Sequence, residues 1–240
     1  MKINLLDIPV YYISLEDQYE NHKRMEAMLS DIGFKNVTRF SARYHHNGKM
    51  AGCADSHAQI LSMGIKGPFI ILEDDCFLDR DFPTEVEVPD DIDALYLGIS
   101  YWARYANHSG PILHVRQQDE NISQVYNMLA THAILYISKD YISFCKRAAQ
   151  WAAEKVQHVD VVFAEAHKFY NVYAFNDPVF YQSSSELVTR GSIFHITRKN
   201  KEEWDHIYNN VGKSPDEFLS SIKHPNNLLD GFSFELLPLL

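Results

Sequence analysis

The stretch Pro68 to Leu72 (PFIIL) constrains the fold more than any other part of the chain. It is continuously apolar, follows Gly67 and stops at three acids, Glu73, Asp74 and Asp75. A strand with no polar face must be covered on both sides, the situation of a strand inside an α/β sheet. Asp93 to Leu97 (DALYL) and Ala133 to Ile137 (AILYI) repeat the pattern, and Ile8 to Leu15 (IPVYYISL), Val37 to Phe40 and Val172 to Phe175 (VYAF) read as further strands. Amphipathic segments separate them. His22, Met25, Leu29 and Ile32 recur at helical spacing before Gly33, and apolar positions 142, 145, 148, 149, 152 and 156 form one stripe between Lys139 and Val156. Ser56 precedes Ile60, Leu61 and Ile65, so a third helix is expected to start there, after a loop over Arg43 to Lys49. Strands alternating with helices predict an α/β fold with a mostly parallel central sheet.

At 240 residues the chain is long enough for one such domain with a small addition. The expected division is 1–197 for the main domain and 198–240 for a C-terminal helical appendage, whose helix starts near Pro215. With 46% hydrophobic and 22% charged residues the chain can bury a substantial core. The net charge of −10 repels phosphate backbones and anionic bilayers, which argues against nucleic acid as a partner. An anionic nucleotide remains compatible with it where a divalent cation supplies positive charge locally. Cys53, Cys76 and Cys145 are odd in number and lack a Cys-x-x-Cys pair, so a reducing compartment fits better than a disulfide framework. No secretory signal is read at the amino terminus, and no apolar window approaches the roughly 18 residues of a membrane span.

The triple acid is the first candidate site. In open α/β sheets the ligand crevice lies outside the carboxyl ends of the strands, where Glu73, Asp74 and Asp75 fall. Strand alternation would put Glu73 and Asp75 on one side and Asp74 on the other. Two neighbouring carboxylates repel unless a cation lies between them, and hard oxygen ligands suit Mg²⁺ or Mn²⁺, with Asp75 the leading ligand. A solvated acidic turn continuing to Asp79 and Asp81 is the plain alternative. Ser56 reads as a helix N-cap or, on equal footing, as a functional residue, and His57 as its partly exposed first-turn neighbour. His45, His46, Cys53 and His57 mix zinc ligand types without a standard spacing. Asp160, before the apolar run Val161 to Phe163, is an N-cap or a general base, with Asp177 the next acid to consider. Tyr101, Trp102 and Tyr105 are either core or a wall for a sugar or base.

Taken in order, YYISLED (11 to 17), RFSA (39 to 42), GCADSH (52 to 57), FIILEDDC (69 to 76), DALYLG (93 to 98), THAILYIS (131 to 138), VDVVFA (159 to 164) and VYAFNDPVFYQ (172 to 182) resemble glycosyltransferase family 25. That family groups bacterial lipopolysaccharide and lipooligosaccharide sugar transferases with relatives of the collagen galactosyltransferases. The resemblance runs from about residue 9 to 195. It implies a GT-A type nucleotide-sugar-binding fold and metal-dependent, inverting transfer of a hexose, galactose or glucose, from a UDP-sugar. The acceptor would be a hydroxyl of a glycan, a lipid-linked sugar or a protein. By the same resemblance, Glu73 and Asp75 would hold the metal, and Ser14, Leu15, Ser56, His57 and Asp74 would bind the donor. Asp160 would be the acceptor-side base. Where the family usually reads Asn-Leu-Asp-Arg this chain has Ser14, Leu15, Glu16 and Asp17. The tail carries no endoplasmic-reticulum retention signal, so a cytoplasmic enzyme of bacterial or viral origin is expected. Two other classes remain open: a metal-dependent nucleotidyltransferase or phosphohydrolase, and a non-catalytic sugar-binding module.

Overall fold

A computed structural model describes residues 1–183 and 191–194, apart from 43, 101, 106, 107, 111 and 112. The 198–240 appendage expected from the sequence lies outside the described residues. In chain order the elements are β1 (Lys2–Asn4), β2 (Val10–Leu15), α1 (Tyr19–Ile32), β3 (Val37–Ala42), α2 (Lys49–Leu61), β4 (Phe69–Glu73), β5 (Cys76–Leu78), β6 (Glu85–Glu87) and β7 (Ala94–Tyr96). There follow β8 (Ala103–Tyr105), β9 (His108–Gly110), β10 (Val115–Gln117), β11 (Ile122–Val125), β12 (Ala133–Tyr136), α3 (Lys139–Lys155), α4 (Val159–Ala166), β13 (Val172–Phe175) and β14 (Phe180–Gln182).

Eight strands form one sheet in the order β10-β11-β13-β7-β12-β4-β2-β3. β2 runs parallel to β3 and β4, and β13 runs parallel to β7, while β11 and β12 run against their neighbours. Six of the eight strands therefore point the same way, and the fold is α/β as the sequence predicts. The strand β3 lies on one side of β2 and β4 on the other, so the direction of winding reverses at β2.

The continuous apolar runs are explained by alternation. Along β4, Phe69 and Ile71 face the core shared with α2, α3 and α4, and Ile70 and Leu72 face the core shared with α1. Tyr96 with Ile134, and Leu95 with Leu135, divide in the same way on β7 and β12. All four apolar side chains of β4 are essentially inaccessible, and each contributes about 1.5–3 kcal/mol through burial. Because Glu73 continues that alternation from Ile71, its side chain is delivered to the α2 face of the sheet.

The helix ends follow from local chemistry. Gly33 closes α1 at φ 91°, where its N–H bonds the carbonyls of Leu29 and Ser30, a left-handed cap that glycine adopts without a Cβ clash. Ser138 accepts from the Tyr141 N–H at 3.2 Å and starts α3. Among the described residues, no helix is long and apolar enough to cross a membrane.

Candidate functional site

The reversal at β2 opens a crevice at the carboxyl ends of β2 and β4, the place where doubly wound sheets admit ligands. A cavity of about 520 Å³ occupies it, within the usual range for small-molecule sites. Ile13, Ser14 and Leu15 line it from β2, Ala42 from β3, and Glu73, Asp74 and Asp75 from the end of β4. Helix α2 supplies Lys49, Gly52, Cys53 and Ser56, with its N-cap Gly48 beside them. Ser14, Leu15, Ser56 and Asp74, singled out for donor binding, thus share one cavity with Glu73 and Asp75, singled out for metal. The residue His57 is fully buried and stands behind this wall.

The acids do not alternate as the sequence suggested. β4 ends at Glu73, and Asp74 and Asp75 form a turn into β5, so strand alternation stops and all three reach the same cavity. Arg24 fixes the turn from α1: its guanidinium donates to the carbonyl of Cys76 at 2.5 Å and to that of Asp74, and it stacks over the Phe77 ring at 3.8 Å. The Asp75 Oδ2 accepts from Gln182 Nε2 at 2.9 Å, and the Asp75 carbonyl accepts from the Ser183 N–H. A backbone held this firmly presents its carboxylates in a fixed geometry, which is what a charge-binding site needs.

Glu73 has different work. Its Oε1 accepts from Thr131 Oγ1 at 2.6 Å and faces His57 Nε2 at 3.0 Å. Since Oε1 has no proton to give as a carboxylate, Nε2 carries the hydrogen in this pair. Burial pushes the Glu73 carboxyl up, but the hydrogen bond and charge of His57 and the Thr131 hydroxyl outweigh it and hold the group below its ordinary value. Cys53 Sγ lies 4.0 Å from the same oxygen. One ligand atom from each of Cys53, His57 and Glu73 falls within 4.8 Å of the others. Burial raises the Cys53 thiol well above its ordinary value, with the charges of Glu73, Asp160 and Asp75 adding to the shift.

The helix start expected at Ser56 is corrected. α2 begins at Lys49, so Ser56 and His57 are interior to the helix, and the Ser56 hydroxyl donates to the Gly52 carbonyl at 2.7 Å. Neither is an N-cap, and the unpaired helix N–H groups belong to the turn after Gly48. Gly48 has φ 94° and no capping side chain, a conformation suited to glycine. Asp160 is not a cap either. His158 is the N-cap of α4, and Asp160 sits in the first turn, accepting from the Val161 N–H at 2.7 Å. Half-buried, it lies outside the cavity lining. Burial raises its pKa, and the negative charge of Glu73 adds to the rise against the lowering effect of His158 and Val161.

His45 and His46 stack on each other at 4.4 Å, and His45 lines the cavity mouth. Trp102 is 36% exposed; Tyr101 and the side chain of Tyr105 lie outside the described residues. Arg24, Gly48, Lys49, Thr131 and Gln182 are contributors that the sequence does not single out. Thr131 acts on a residue 58 positions away, and no local pattern announces that. Gly48 had a signal, a glycine just before a run of helix-compatible residues.

No family model matches the chain, and no curated protein matches it. Among solved structures, a nucleoside-diphosphate-sugar pyrophosphorylase from Vibrio cholerae RC9 is similar over 71% of this chain and 73% of its own, at 11% identity and a TM-score of 0.40. A viral protein from STIV is similar over 75% of this chain and 87% of its own, at 13% identity and a TM-score of 0.36.

Proposed function

We propose that the chain is a glycosyltransferase of the family 25 type. In this reading it moves a hexose, galactose or glucose, from a UDP-sugar to a hydroxyl acceptor with inversion and with help from Mg²⁺ or Mn²⁺. One observation carries the proposal: the residues at the ends of β2 and β4, the acidic turn and the opening of α2 all border one cavity at the point where the sheet reverses its winding.

Each wall has a role in this reading. Ser14 and Leu15 hold the nucleoside end against the edge of β2. The N–H groups after Gly48 and the ammonium of Lys49 receive the diphosphate, because a helix N-terminus carries partial positive charge and unpaired donors. Asp74 and Asp75 offer hard oxygen ligands on a backbone held by Arg24 and Gln182, which fits Mg²⁺ or Mn²⁺. The Glu73 carboxylate faces His57 and Thr131, so it positions the turn rather than leading the ligand set. A bound divalent cation neutralises the charge that grows on the departing diphosphate. Asp160 is the acceptor-side base in this reading. It lies outside the donor cavity but near enough for its charge to act on Cys53 and for that of Glu73 to act on it. Its raised pKa moves it toward the working pH, which favours a general base.

The test is a donor screen across nucleotide sugars with Mn²⁺, reading UDP release with and without sugar acceptors. Release of UDP that depends on the cation and is accelerated by an acceptor is the expected result. Pyrophosphate release from a nucleoside triphosphate, with nucleotide sugars untouched, would replace this reading with nucleotidyl transfer.

A further inference from the structure

We propose that Cys53, His57 and Glu73 form a separate site for a borderline metal ion, Zn²⁺ by its chemistry, with an open coordination position facing the cavity. Cys53 and His57 are four residues apart in α2, so they fall on one face of the helix. The strand β4 brings Glu73 to that same face. A helix pair with a carboxylate from another element supplies three ligands, the number with which zinc sites keep a fourth position for water.

Two of the three separations match a tetrahedral ion, and all three ligand atoms lie within 4.8 Å of one another. Tetrahedral bonds of about 2.0 to 2.3 Å place ligand atoms roughly 3 to 4 Å apart, and the separations here are 3.0 Å from His57 to Glu73 and 4.0 Å from Cys53 to Glu73. Thr131 donates to the same Oε1 of Glu73 and orients the carboxylate, as an outer-shell partner does in built metal sites. Cys53 and Glu73 both line the cavity, so an ion has a route in and the remaining position opens to it. Chemistry of the donor set then selects the ion: thiolate and imidazole favour Zn²⁺ over Mg²⁺ or Mn²⁺.

Charge balance supports the assignment. The thiolate and carboxylate carry two negative charges against the ion's two positive ones, so the buried assembly is neutral. On binding, the thiol proton leaves to solvent and the ion displaces the hydrogen from Nε2, so that the imidazole ligates in its neutral form with its hydrogen on Nδ1, a nitrogen that has no hydrogen-bond partner among the described residues. The ion thus takes the place of the hydrogen now shared between His57 and Glu73. The site shares Glu73 and the cavity wall with the acidic turn but does not use Asp74 or Asp75 as ligands, so metal uptake without nucleotide reads it apart from the glycosyltransferase reading.

The experiment titrates Co²⁺, as a spectroscopic stand-in for Zn²⁺, into the chelator-treated full-length protein without nucleotide, and then displaces it with Zn²⁺. One equivalent per chain with a thiolate-to-cobalt charge-transfer band is the expected result. Cys53→Ser should lose the band and weaken Zn²⁺ binding at least tenfold while its far-UV circular dichroism stays parental. Thr131→Val should keep the band and weaken Zn²⁺ binding about 10- to 100-fold. Asp75→Asn should bind Co²⁺ as the parent does, whatever it does to nucleotide binding. No stoichiometric Co²⁺ uptake by the parent, or an unchanged band in Cys53→Ser, would overturn the site.

Discussion

Replacing Glu73 by glutamine isolates the interaction that anchors the acidic turn, because the amide keeps the volume and removes the charge. The carboxylate accepts two bonds on Oε1, from Thr131 at 2.6 Å and from His57 at 3.0 Å. Bonds to a charged partner contribute about 1.5–3 kcal/mol each, and neutral ones about 0.5–1.5 kcal/mol. Weakening both gives a gross loss of roughly 2–4 kcal/mol, offset in part because an amide is less costly to bury than a carboxylate. A net destabilisation of about 1–3 kcal/mol at pH 7 follows, read by urea denaturation with an unchanged slope. The pH dependence provides the sharper check. The folded pKa of Glu73 lies below its unfolded value, so the parent's extra stability is complete above the unfolded value of about 4.3 and is lost as the pH falls through the folded one. The glutamine variant lacks this dependence, and the gap between the two proteins should close in acid. A gap that stays constant down to pH 3, or no gap at pH 7, would refute the role given to Glu73.

Other expected outcomes follow from the same geometry. An added Cβ at Gly98 would lie 2.0 Å from Nε2 of the buried His132, so Gly98→Ala should cost at least about 1–3 kcal/mol in chemical denaturation. Asp75→Asn should weaken cation-dependent UDP-sugar binding in calorimetry while leaving the melting temperature within a few degrees of the parent. Asp160→Asn should lower kcat by about 10² to 10⁴ with donor affinity nearly unchanged; near-parental turnover would move the base to another acid, with Asp177 next to test.

The sequence announces what is local and periodic. The run Phe69 to Leu72 could only be a strand covered on both faces, and Val172 to Phe175 coincides with β13. Gly33 marked the end of α1 because a left-handed cap has few other solutions. Strand direction is not written locally: Ala133 to Tyr136 reads like its parallel neighbours, yet β12 runs against both of them. The hairpin of β10 and β11 was missed because VRQ and ISQV carry polar residues where a periodic signal was sought. The start of α2 was misplaced for a similar reason. Glycines and small residues between Gly48 and Cys53 mask a helix, and Ser56 imitates a cap. The acids were found as a group since they end an apolar strand. Their division of labour depends on Thr131, His57 and Arg24, which only the folded chain brings together.

A crystal structure of the protein with a UDP-sugar and Mn²⁺ tests the central claim most directly. The account predicts the diphosphate beside the start of α2 and the carboxylates of Asp74 and Asp75, with the nucleoside against Ser14 and Leu15. A nucleotide bound away from the carboxyl ends of β2 and β4, or an empty cavity at saturating donor and cation, would contradict it.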